Sequence, residues 1–150
     1  MAMTMKGEVT LHADRNTVWA KLNDPEVLKA AIPGCQDLEK IGETAFRATV
    51  KLKVGPVSAT FKGSVELTDI DPPNGYRIVG QGEGGIAGFA KGGARVRLHD
   101  IPDSPESCKL EYEVEAEVGG KIAQLGSRLI NGVASKTADQ FFSNFAEGLK

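Results

Sequence analysis

Phe46, Ala48, Val50, Leu52 and Val54 occupy every second position, with Arg47, Thr49, Lys51 and Lys53 between them. After Gly55-Pro56 the alternation resumes in Val57, Ala59, Phe61, Gly63, Val65 and Leu67. No other stretch constrains the fold as tightly. A two-residue loop pairs Val54 with Val57, Leu52 with Ala59 and Val50 with Phe61, which puts both apolar sets on one face. Turn length and hydrophobic pattern therefore demand the same register. Glycine suits the first position of a type II′ turn, and proline supplies the negative φ of the second.

The same period extends on both sides. Met5, Gly7, Val9 and Leu11 alternate with polar residues and predict a first strand. Asp14 is a helix N-cap ahead of Val18, Trp19 and Leu22; Asp24-Pro25 repeats the start signal ahead of Val27, Leu28 and Ala31, and Ile32-Pro33-Gly34 ends that second short helix. Asp71 to Gly75 reads as a turn. Strands are expected near 76–83, 89–100 and 107–118. In the last of these Cys108, Leu110, Tyr112, Val114, Ala116 and Val118 face inward, while Lys109 and Glu111, Glu113, Glu115 and Glu117 face outward. Arg95, Arg97 and His99 can stand opposite those glutamates, as cross-strand support on a solvated face. The remainder, Gly119 to Lys150, reads as one long amphipathic helix. The expected fold is α+β: a curved antiparallel sheet of about seven strands wrapped on a long C-terminal helix, with two short helices after the first strand, in a single domain over residues 1–150.

The helix carries two stripes at 100° per residue. Ile122, Leu125, Leu129 and Val133 form one; Ala134, Ala138, Phe141, Phe145 and Leu149 form another, rotated by about a third of a turn. Two readings stay open. Either the phenylalanine half packs while the half around Gly126 and Leu129 roofs an unfilled space, or the helix bends near Gly132 over a solid core. The apolar stretch Gly84-Gly85-Ile86-Ala87-Gly88-Phe89 is equally open, as a lip that admits a greasy ligand or as a loop tucked onto the core.

Catalytic constellations are absent from the pattern. His12 and His99 fall on the polar phase of their strands, and no Ser or Cys is paired with an evident base. Cys35 reads as a turn residue, and with Cys108 it makes neither a disulfide framework nor a metal site. Gly80-Gln81-Gly82-Glu83-Gly84-Gly85 imitates a dinucleotide loop, but strand-like sequence follows it instead of a helix; Gly63, Gly80, Gly82, Gly92 and Gly93 read instead as points where strands bulge and the sheet curves around the helix. Gly120-Lys121 lacks the Ser/Thr of a phosphate loop. A net charge of −2 argues against a nucleic-acid surface. The opening residues lack the apolar core of a secretion signal, so the cytoplasm is the expected compartment. No cofactor or metal is expected.

Gly7-Glu8-Val9, Val18-Trp19, Leu22-Asn23-Asp24 and Ile32-Pro33-Gly34-Cys35 resemble the opening of the carbon monoxide dehydrogenase CoxG family, and residues 120–130 with Phe141-Phe142 resemble its closing helix. The resemblance covers nearly the whole chain. It implies the helix-grip fold of the START/Bet v1-like superfamily, which commonly encloses a hydrophobic cavity. It also implies a non-catalytic accessory protein that assists maturation, membrane recruitment or respiratory coupling of a molybdenum hydroxylase, with a lipid or quinone as ligand. Longer members carry an extension after the helix linked to membrane attachment; with Lys150 last here, membrane contact at most peripheral to the inner face of the cell membrane is expected. For the ligand cavity the candidates are Trp19, Phe46, Val50, Phe61, Ile78, Phe89, Leu110, Tyr112, Leu125, Leu129 and Val133, each of which also suits plain core. Tyr112 would offer a ligand oxygen one hydrogen bond. Two rivals remain. A cyclase- or aromatase-like enzyme would need an inward acid or base from Arg77, Gln81, Glu83 or Lys91, and a ligand-free interaction module would need a pocket too small for any ligand.

Overall fold

A computed structural model describes residues 1–150. The chain runs β1 (Ala2–Leu11), α1 (Arg15–Leu22), α2 (Pro25–Ala31), β2 (Cys35–Lys40), β3 (Ala45–Val54), β4 (Val57–Asp71), β5 (Gly75–Glu83), β6 (Phe89–Ile101), β7 (Ser104–Gly119) and α3 (Ser127–Glu147). Short 3-10 turns occupy Gly85–Ala87 and Lys121–Leu125. Every strand pairing is antiparallel, in the order β1-β7-β6-β5-β4-β3-β2. The sheet is thus a meander whose first strand returns to pair with its last.

The β3–β4 hairpin has the expected register: Val54 opposes Val57, Leu52 opposes Ala59 and Val50 opposes Phe61. Gly55 takes φ +58, the sign that a II′ turn requires there. Both cap signals also act as read. The Asp14 side chain accepts from the Thr17 amide at 2.9 Å and Asp24 from the Glu26 amide at 3.0 Å, with Pro25 in the first turn of α2.

Three expectations need correction. Cys35 opens strand β2 rather than sitting in a turn, and its Sγ donates to the Asp37 carbonyl at 3.3 Å. This edge strand lacks clean alternation because its pairing shifts between Cys35 and Asp37. Second, the C-terminal segment is not one helix. Lys121–Leu125 forms a 3-10 turn, Gly126 at φ +93 breaks the chain direction, and α3 starts at Ser127. The break falls at Gly126, and Gly132 lies inside the continuous helix. Third, His99 stands opposite Lys109, although its Nε2 reaches diagonally to Glu111 at 2.7 Å. Arg95 and Arg97 do face Glu113 and Glu111, on the exposed side of the sheet.

Apolar packing divides into two separate clusters. The larger joins twelve buried residues from β1, α1, α2, the middle strands and the end of α3, among them Leu11, Val18, Leu110 and Phe145 at 1% exposure or less. Trp19 packs on Tyr76 with ring centroids 5.3 Å apart, and Phe141 lies between Phe142 and Phe145. Asn144 donates to the Ala31 carbonyl at 3.0 Å and ties α3 to the end of α2. The smaller cluster holds only Val54, Ala87, Val118, Ile122 and Ile130, at the opposite end of the sheet.

Candidate functional site: an apolar cavity under the C-terminal helix

Between the two clusters the inner face of the sheet is not filled. Ala48, Val50, Leu52, Phe61, Val65, Ile78, Val114 and Ala116 point inward, yet each remains only half-buried. Their side chains line a cavity of about 460 Å³, closed on the helix side by Ile122 and Thr137 and at the edge by Ile32 and Pro33. Pockets of this size hold small organic ligands.

The floor explains why the space exists. Ala48, Gly63, Gly82 and Ala90 form one row across four strands, and Val65, Gly80, Gly92 and Ala116 form the next. Small residues stand where a solid core would carry Leu or Phe, so side-chain volume is missing beneath α3. At Gly63 the reason is also geometric. A Cβ there would collide with the Gln81 carbonyl and come within 2.8 Å of Gly82 Cα, so the bend of β4 against β5 needs glycine. Gly82 differs: a Cβ would meet nothing nearer than the Lys62 carbonyl at 3.8 Å. There the absent side chain simply leaves room.

Of the eleven residues expected at a cavity, the structure places Phe46, Val50, Phe61 and Ile78 on its lining. The other seven lie elsewhere. Leu110 and Trp19 belong to the large cluster. Tyr112 also packs there; its ring stacks on Phe142 at 5.2 Å and fills the gap left by Gly7, and burial raises its hydroxyl above the ordinary tyrosine value. Leu125 and Val133 pack against the small cluster. Phe89 and Leu129 are 40% and 37% exposed, with Leu129 leaning over the Gly55 turn. The break at Gly126 resets the helical phase, so Ile130 and Thr137 face inward where a continuous helix would have presented Leu129. Thr137 carries no sequence signature, since a single hydroxyl in a helix looks like any solvated one. The Gly/Ala floor was legible only through strand register.

Besides its apolar side chains, the cavity is bordered by Ser64, Gln81, Lys91, Glu115 and Thr137. Arg77, Gln81 and Glu83 alternate with the inward Tyr76, Ile78, Gly80 and Gly82, and Lys91 pairs with Gln81. All four side chains are therefore on the outer phase, where Arg77 lies 3.9 Å from Glu115. The inward tyrosine of β5, Tyr76, sits in the large cluster, and burial pushes its hydroxyl up to about 12. Thr137 thus offers the cavity a hydroxyl among apolar walls. No group of three or more His, Cys, Asp or Glu residues is placed to hold a metal ion. No helix is long and apolar enough to cross a membrane.

The carbon monoxide dehydrogenase family CoxG matches residues 7–150. No curated protein matches the sequence. Among solved structures, a conserved protein from Geobacillus kaustophilus is 36% identical, with a TM-score of 0.90 over 97% of this chain and 94% of its own. A START superfamily protein from Mycobacterium smegmatis superposes with a TM-score of 0.73 at 15% identity, covering 98% and 99% of the two chains. The Zhui aromatase/cyclase from Streptomyces sp. R1128 does so at 0.70 and 14%, covering 99% and 93%. These last two likenesses establish the helix-grip, START/Bet v1-like fold.

Proposed function

The chain belongs to the carbon monoxide dehydrogenase CoxG family, and from that premise we propose that it is a non-catalytic accessory protein carrying a hydrophobic ligand, a quinone or a lipid. The ligand lies in the cavity under α3. The protein serves a carbon monoxide dehydrogenase-type molybdenum hydroxylase, in its maturation, membrane recruitment or coupling to the respiratory chain.

One observation supports the reading above the rest: an apolar space of about 460 Å³ left between two packed clusters by a glycine and alanine floor. Such walls favour a ligand with an apolar body, since an unmatched buried polar group costs several kcal/mol, on the order of 2–7. Thr137 suits a single acceptor such as a quinone carbonyl or an ester oxygen. A cyclase-like reaction draws no support from its four candidate acids and bases, which are all on the outer phase. Nor is the pocket small enough to favour a ligand-free interaction module.

Native mass spectrometry of protein purified without denaturation tests the proposal, with a short-chain quinone and a phospholipid as added probes. Wild type should carry or acquire a ligand. Gly82→Leu, which puts a side chain into the cavity where a Cβ has room, should lose binding at least about tenfold while still folding. A wild type that stays empty with both probes overturns the reading.

A further inference from the structure

We infer that the free edge of β1 pairs, antiparallel and in one register, with the β1 edge of a second copy of this chain. The sheet ends in β2 on one side and in β1 on the other. The two edges differ. β2 is six residues long, its pairing shifts between Cys35 and Asp37, and α2 packs against it; short length, a bulge and a covering helix all blunt an edge. β1 has ten residues and pairs with β7 without a shift. Met1 exchanges both backbone bonds with Val118, at 2.9 and 2.7 Å. Antiparallel alternation then turns the amides and carbonyls of Met3, Met5, Gly7 and Val9 toward β7 as well. Those of Thr4, Lys6, Glu8 and Thr10 are left aimed at the open edge.

Charge selects the register. For the free amides and carbonyls to meet, the two-fold axis must pass through a residue, and the central choices are Lys6, Gly7 and Glu8. An axis at Lys6 or at Glu8 sets like charges face to face. With the axis at Gly7 every row is complementary: Lys6 opposes Glu8, Thr4 opposes Thr10, and on the inner face Met5 opposes Val9. Lys6 closes no ion pair within the chain, and Glu8 has only Lys109 at 3.6 Å. Lysine on an edge strand normally keeps other strands away. Glu8, two residues along, cancels that guard for this chain's own edge, which is why the occupant is a second copy and not an unrelated strand.

The inner face agrees. Met5 is half-buried and packs in neither apolar cluster, so Val9 of the second copy supplies the neighbour it lacks. The axis passes through the one residue of β1 without a side chain, and facing residues of this kind approach to about 4.5 Å. Tyr112 already occupies the space below: its hydroxyl is 2.6 Å from where a Gly7 Cβ would stand, and its ring stacks on the half-buried Phe142. Two such aromatic pairs meet beneath the glycines. The product is one continuous sheet, seven strands from each copy, with both α3 helices on the same face.

Sedimentation velocity at micromolar concentrations tests this, with circular dichroism to confirm that each variant is folded. Wild type should dimerise. Lys6→Glu and Glu8→Lys should each weaken the dimer about tenfold or more, since both symmetry-related pairs turn repulsive. An equimolar mixture of the two variants should recover it, because every facing pair is then opposite in charge. Glu8→Pro removes an amide that only the second copy uses, so it should leave the fold intact and weaken the dimer at least about tenfold. A monomeric wild type overturns the inference, as does a dimer that survives Glu8→Pro. Folded single variants that stay monomeric when mixed refute the register and the inference with it.

Discussion

The two apolar clusters differ in more than size. The larger draws on the bodies of strands, on α1 and α2, and on the aromatic end of α3, and several of its side chains are wholly inaccessible. The smaller is made from the tips of elements: a hairpin end, the end of β7, two 3-10 turns and the first turns of α3, with every member 4–7% exposed. Stability and access are thereby separated along one molecule. Burial of twelve residues can hold the sheet and helix together while the other end opens at little cost, since regions with few buried contacts are the first to open locally.

The comparison breaks if the wrong end proves to be the strong one. Phe145→Ala should cost about 3–5 kcal/mol in urea denaturation, and Ile130→Ala about 2 kcal/mol, the low end for its type; equal losses would refute the division. The cavity floor gives a middle-sized effect. Gly63→Ala should destabilise by about 1–3 kcal/mol through the clash with the Gln81 carbonyl, whereas Gly82→Ala should be nearly neutral. Hydrogen exchange should then find the Ala87, Gly88 and Ala123 amides opening well before those of Leu98 and Leu110. The smallest effect belongs to the α1 cap at the large-cluster end. The Thr17 hydrogen bonds hold the Asp14 carboxyl below the ordinary aspartate range. A lowered folded-state value means that this contribution is complete above the unfolded value and is lost as pH falls through the folded one. Asp14→Asn should keep the cap while removing that acid-limb dependence, and a melting series against pH reads the difference.

Those tests bear on how the fold is read from residues. The β3–β4 hairpin, both capped helices and the β7 alternation were legible because period, turn chemistry and caps agreed with one another. β2 was not, since an edge strand with a bulge and one inward leucine, Leu38, leaves no periodic trace. At the site, large apolar side chains mark the walls, Phe46, Val50, Phe61 and Ile78, whereas the glycines of the floor read from sequence as bends in the sheet and not as missing volume. A cavity is written in what is missing, here Gly63, Gly80, Gly82 and Gly92, and absence gains meaning only once register aligns it across strands. The helix misled for a related reason: a phase of 100° per residue holds only while the helix is continuous, and Gly126 interrupts it.

The meander also sets a timetable. β1 pairs only with β7, from Ala2 opposite Glu117 to Leu11 opposite Cys108. A ribosome adding about 5–20 residues per second needs on the order of 5–20 s to make the intervening chain. Through that interval Met5, Val9 and Leu11 emerge with no partner strand, while β2 to β6 can already zip as successive hairpins. β1 is therefore made well ahead of the only strand of its own chain that it pairs with, and its apolar face is the segment most in need of a chaperone.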